Sequence, residues 1–214
     1  MPVPDPTNAA PRSRYARIAR SALETVATVA VAILLALGIQ AFLVKPYRVP
    51  SLSMWPTLEK NQRILVNRLD THPGLGDVVV FHPPKDAEDE TCANGSQGLG
   101  HGQACDAALP EDTATTPFVK RVVGVPGDHL RIFRGRVWRN GVEEKAPYAQ
   151  PCDGGAAPGC DFPTTIVVPS GEYFMMGDNR GNSDDSRFWG PIHQQWIIGE
   201  AFLTYWPPSR VGTL

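Results

Sequence analysis

Residues 25–44 run for 20 positions without a charged side chain and are rich in Ala, Val, Leu and Ile. No other feature constrains the fold as strongly. At 1.5 Å per residue, a helix of this length spans about 30 Å, the hydrocarbon thickness of a bilayer. Arg12, Arg14, Arg17 and Arg20 precede it. The positive-inside rule then puts the N-terminus in the cytoplasm and everything after Lys45 outside the cell membrane. A cleaved secretory leader would have an apolar region of only about 7–15 residues before a small-residue site. This run is longer and leads into Phe42-Leu43-Val44-Lys45-Pro46. No second stretch reaches spanning length. The expected organisation is a basic tail over 1–20, proline-rich at its start and disordered, a single-pass anchor helix over 21–44, and an extracytoplasmic domain over 45–214.

That domain reads as mostly β. Gly and Pro supply 20 and 21 of the 214 residues, and helical periodicity is scarce after residue 60. Short β-like runs are expected at 63–67, 77–81, 118–125, 129–133, 137–139, 172–176 and 196–206. Arg134-Gly135 and Asn140-Gly141 provide hairpin turns. Pro46 and Pro50 end the helix and force extended chain through Ser51. Two loop insertions, about 83–116 and 146–163, each carry a cysteine pair. Four cysteines in local pairs outside the cytoplasm predict the disulfides Cys92–Cys105 and Cys152–Cys160. Zinc, with His101 as a further ligand, is disfavoured because no close Cys-x-x-Cys pair occurs. The formal net charge is −2, and this balance excludes the broad basic surface that nucleic-acid binding requires.

The chemistry concentrates in three segments. The first is Pro50-Ser51-Leu52-Ser53-Met54-Trp55-Pro56-Thr57-Leu58. Its prolines restrict the backbone around Ser53, a candidate nucleophile. Ser51, two residues earlier, lies on the same side of an extended chain. Its hydroxyl and a backbone N–H would make two oxyanion donors. The second segment is Phe118-Val119-Lys120-Arg121-Val122-Val123. Strand alternation puts Lys120 and Arg121 on opposite faces, so one of the two cations points to the core side. On pattern alone Lys120 reads as a solvated strand lysine before it reads as a base. His72, His82, His101, His129 and His193 have no recognisable catalytic neighbourhood, although a triad is defined by geometry rather than by sequence. The third segment runs from Gly177 to Gly190 and is dense in polar side chains suited to an irregular loop. Arg180 stands where a calcium loop needs an oxygen ligand, and no Glu closes the loop. No metal or cofactor is expected. Leu52, Trp55, Phe188 and Trp189 are candidates for substrate or lipid contact, with burial in the core as the alternative.

In this order behind an N-terminal anchor, the three segments resemble bacterial type I signal peptidases. The second segment extends the match through Gly124-Val125-Pro126-Gly127-Asp128, and Asp77 with the Val run after it matches a further short strand. The resemblance implies a signal-peptidase/LexA-like β-sheet catalytic domain and a serine endopeptidase with a Ser/Lys dyad. Carried over residue by residue, Ser53 is the nucleophile and Lys120 the general base. Ser51 donates to the oxyanion, Ser183 orients the lysine, and Asp185 and Arg187 brace the site. The implied substrates are secretory preproteins with small residues at positions −1 and −3, cleaved at a lipid bilayer. A self-cleaving LexA-type repressor would carry a DNA-binding module where this chain has its anchor. A silent binding domain would have lost Ser53 or Lys120. The cysteine loops lie outside the resemblance.

Overall fold

The computed structural model describes residues 12–85, 87, 92, 102–107, 112–152 and 159–214. The proline-rich start of the tail, His101 and much of the two insertions lie outside these residues. The described chain forms two units, dividing between Leu43 and Val44.

The first unit is one helix, α1 (Arg12–Phe42). Its stretch Tyr15–Ile39 is long and, on average, apolar enough to cross a membrane. Its described side chains from Tyr15 to Leu37 are all exposed, an apolar surface that water does not tolerate on this scale. Its hydroxyls are satisfied inside the helix: Thr25 Oγ1 donates to the Ser21 carbonyl at 2.9 Å and Thr28 Oγ1 to that of Glu24 at 2.8 Å. Such back-bonding is what a polar group requires where no water is present.

Among the described residues, the second unit is built from twelve strands: β1 (Val44–Arg48), β2 (Arg63–Asn67), β3 (Val78–Phe81), β4 (Phe118–Gly124), β5 (His129–Phe133), β6 (Arg136–Arg139), β7 (Val142–Glu143), β8 (Phe162–Val167), β9 (Glu172–Met176), β10 (Ile192–His193), β11 (Ile197–Trp206) and β12 (Gly212–Thr213). One short helix, α2 (Ser186–Trp189), precedes β10. The larger sheet has the order β1-β2-β11-β3-β4-β9-β10, with β12 on β11. The smaller has the order β7-β6-β5-β8. Both hairpin turns of the smaller sheet have positive φ at two successive residues, Arg134-Gly135 and Asn140-Gly141. This is the turn whose twist matches paired strands, and glycine in the second position removes its steric cost.

Both faces of the larger sheet are covered at β3, β4 and β9. Val79, Phe81 and Val122 face the main core, which also takes Leu130, Ile132, Val137 and Ile166 from the smaller sheet and Phe188 and Trp189 from α2. Val78, Val80 and Val119 face a second cluster, closed by Val49, Met54, Leu58, Ile64 and Val66. The expectation that only one of Lys120 and Arg121 is buried is therefore corrected: both are, at 4% and 7% exposure. Strand alternation sends them to opposite faces, and neither face meets solvent.

Candidate active site

Ser53 lies on the loop between β1 and β2. The neighbouring Met54 is fully buried in the second cluster, and Leu58 N–H donates to its carbonyl at 2.8 Å. This apolar anchor fixes the loop and leaves Ser53 half-buried at the surface. The loop after β9 holds it from the other side. Asn179 N–H donates to the Ser53 carbonyl at 3.0 Å, and the Asn179 amide donates to that of Leu52 at 3.2 Å. Gly177 is packed so closely that a Cβ there would collide with Ser183 Oγ and the Ser53 carbonyl oxygen.

Ser53 and Lys120 line one cleft of about 390 Å³, together with Pro50, Ser51, Leu52, Phe118, Asn182 and Asp184. Lys120 Nζ donates to Ser183 Oγ at 3.0 Å. Ser51 Oγ donates to Ser53 Oγ at 3.2 Å, and Ser53 N–H points at Ser51 Oγ at 3.4 Å. The structure thus brings Ser51, Ser53, Lys120 and Ser183 together, without a direct hydrogen bond between Ser53 and Lys120. Among the described residues, no histidine lines this cleft. His193 instead faces Glu172 at 3.3 Å.

Burial lowers the Lys120 ammonium to about 8. Asp185 and Asp184 oppose this, and Arg187 reinforces it. Asp185 is itself fully buried. Burial works most strongly against its charge, but Arg187, Lys120 and the Gly177 N–H together outweigh it and hold the carboxyl below the usual range. Arg187 Nε and Nη2 donate to the two Asp185 oxygens at 2.7 and 2.9 Å, and Gly177 N–H donates to Asp185 Oδ2 at 3.0 Å. Asp185 also caps α2 by accepting from the Arg187 N–H. The carboxylate beside the lysine is therefore already neutralised by a planar, bidentate partner, which limits how far it can stabilise the ammonium.

A second buried pair was not legible in the sequence. Arg121 donates to Asp178 from Nε at 2.9 Å and from Nη2 at 2.7 Å. Thr57 Oγ1 donates to the same carboxylate at 2.5 Å, and Tyr148 stacks on the guanidinium at 3.9 Å. This cluster ties the loop that carries Ser53, β4 and the loop after β9 to one another. Arg121 and Asp178 are 57 residues apart, so no local spacing announces their pairing. Of the four candidate contact residues, Phe188 and Trp189 are core, whereas Leu52 and Trp55 remain exposed at 46% and 40%. The expected disulfides Cys92–Cys105 and Cys152–Cys160 are both formed.

On one side, β4 pairs with β3 along Phe118–Arg121. On the other, its pairing with β9 begins only at Arg121. Among the described residues, Phe118, Val119 and Lys120 thus leave a free backbone edge on the side of the cleft. Such an edge accepts an extended peptide.

A family model described as signal peptidase, peptidase S26, matches residues 22–206. A signal peptidase I of Leptolyngbya laminosa is 34% identical over 217 aligned residues, which cover 100% of this chain and 94% of that protein. A probable signal peptidase I-1 of Synechocystis is 37% identical, covering 89% and 86%. Signal peptidase IB of Staphylococcus aureus is 30% identical, covering 88% and 91%.

Proposed function

Since the chain belongs to the signal peptidase family, peptidase S26, we propose that it removes N-terminal signal peptides from exported preproteins, with Ser53 as nucleophile and Lys120 as general base. The observation that carries this reading is a buried lysine and a hydroxyl nucleophile sharing one cleft. An ammonium has no free lone pair, so a lysine base must be neutral near working pH. The Lys120 site favours the neutral amine by excluding water.

Neutral Lys120 Nζ takes the proton from Ser53 Oγ, which attacks the scissile carbonyl carbon. Charge builds on the carbonyl oxygen, which takes up the Ser53 N–H and the Ser51 hydroxyl now turned toward each other. Lys120 passes its proton to the leaving amine, and an acyl-enzyme remains. Water that gives its proton to Lys120 then hydrolyses the ester and frees Ser53. Ser183 holds Nζ in line throughout, and Asp185 with Arg187 fixes the loop that carries Ser183. The substrate lies extended along the free edge of β4, and small side chains at −1 and −3 suit it. The apolar helix anchors the enzyme in the plasma membrane, with the N-terminus cytoplasmic and the catalytic unit outside.

The test is cleavage of a preprotein, with the new N-terminus read by mass spectrometry. Ser53→Ala and Lys120→Arg should both be folded and inactive, because a guanidinium does not deprotonate at accessible pH. An active Lys120→Arg enzyme would remove the dyad mechanism.

A further inference from the structure

Arg187 is held at both ends by the two disulfide loops. Its backbone carbonyl accepts from the Cys105 N–H at 3.0 Å. Its guanidinium donates from Nη1 to the carbonyl of Gly159, the residue before Cys160, at 2.7 Å. Packing follows the same pattern. A Cβ on Gly190 would meet the Ala107 carbonyl oxygen and Cys105 Sγ, and one on Gly159 would enter the Phe188 ring. One loop therefore seats the end of α2, and the other seats its Phe188 side. The same guanidinium binds Asp185 through two nitrogens. Neither cysteine pair touches Ser53 or Lys120 through any hydrogen bond.

We propose that the two disulfides form a clamp that positions Arg187, and through it Asp185, against Lys120, so that the thiol–disulfide state of the loops sets the working pH of the enzyme. The proposal rests on the reading of Lys120 as the base. The charged groups that act on Lys120 are Asp184, Asp185 and Arg187 around α2 and Asp178 after β9; its neighbour Arg121 points to the other face of β4. If the clamp opens, the guanidinium loses the Gly159 carbonyl and is held by Asp185 and by the carbonyls of Arg180 and Ser183 at 2.8 and 3.0 Å; this looser hold weakens both its positive charge at Lys120 and its neutralising grip on Asp185. Both changes favour the ammonium. A larger share of the enzyme then holds a protonated base at a given pH.

The second loop is the accessible one. Cys152 is half-buried, whereas Cys92, Cys105 and Cys160 are buried. A dithiol attacks the Cys152–Cys160 bond as thiolate. The mixed disulfide resolves when the second thiol of the reagent closes its own ring, leaving two cysteine thiols and oxidised reagent.

The experiment is the pH dependence of kcat/KM for the full-length enzyme in detergent, on a synthetic peptide with Ala-x-Ala before the scissile bond. It is run on oxidised wild type, on the same sample under mild dithiothreitol, and on Cys152→Ala/Cys160→Ala. The apparent pKa of the acid limb should rise by about 0.5–1 unit on reduction, a roughly three- to tenfold loss at pH 7, and should return on reoxidation. The double variant should match the reduced enzyme. An apparent pKa is independent of how much enzyme is folded, so an unchanged limb, whatever happens to the amplitude, overturns the clamp. Failure of the dyad reading looks different: oxidised Lys120→Arg would then be active.

Discussion

A buried lysine is a stability defect whose size follows from the site, so the variant Lys120→Met should yield a more stable protein, inactive if Lys120 is the base. The fall from 10.5 to about 8 is a bias of about 3 kcal/mol against the folded ammonium. Between these two values the unfolded chain binds a proton that the folded chain does not, so wild-type stability must rise with pH across that window. Below pH 8 the cost is present in full, and above pH 10.5 it is gone. Methionine keeps the length and apolar bulk of the stem without the charge. Lys120→Met should therefore exceed wild type by about 3 kcal/mol at pH 7, about 2 at pH 9 and about 1 or less at pH 10. The assay is urea unfolding in detergent, followed by tryptophan fluorescence. All five tryptophans lie beyond residue 44, so the signal reports the catalytic unit alone. A variant weaker than wild type at pH 7, or a gap that stays constant to pH 10, would refute the reasoning.

Other perturbations separate the remaining parts of the site. Ser51→Ala should keep Ser53 but lower kcat by ~10²–10³-fold, the usual loss for one oxyanion donor; an unchanged kcat would leave Ser51 a turn residue. Gly177→Ala should push Ser183 and the Ser53 loop apart and reduce kcat by on the order of 10²-fold, with steady-state kinetics as the check. Asp178→Ala strands the Arg121 guanidinium in the interior and should cost about 3–5 kcal/mol in denaturant unfolding. Asp185 titrates in the opposite sense to Lys120. Because its folded carboxyl is held below the usual range, its contribution is complete above about pH 5 and is lost as pH falls through the lowered folded value. Asp185→Asn should accordingly destabilise at pH 7 and differ less from wild type towards pH 3.

The legible parts of the fold were those where a short segment carries its own signal. Arg63–Asn67, His129–Phe133 and Glu172–Met176 form strands at the expected residues, because apolar runs or alternation bounded by turn residues dictate them. The sequence of Val44–Arg48 predicts only extended chain, because Pro46 interrupts it. The strand lies at the sheet edge, pairing with Arg63–Asn67 alone, where a missing N–H does no harm. Phe162–Val167 was missed for a similar reason: it carries Pro163 and lies at the edge of the smaller sheet. The anchor was expected to reach Val44, but the helix ends at Phe42 as the chain turns into a strand. In the candidate site, the motif singles out the serines and the lysine that the structure brings together, whereas no motif announces the Arg121–Asp178 pair. That pair depends on both faces of β4 being covered, a property of the assembled sheets and not of any one segment.

The adjacency of Lys120 and Arg121 makes strand register a chemical variable. On β4 the lysine proposed as base faces one core and the buried guanidinium faces the other. A slip of one residue would turn each to the other face. Moved one way, the lysine would sit against Asp178 as a paired cation and Val119 would take its place in the cleft; moved the other way, the arginine would occupy the cleft with no proton to take up. Such a protein could retain its sheets and have no catalytic activity. Insertions and deletions should therefore be tolerated very unevenly. The connection from β3 to β4 can change length at small entropic cost, whereas a single residue gained or lost within Phe118–Arg121 would invert the chemistry of the site.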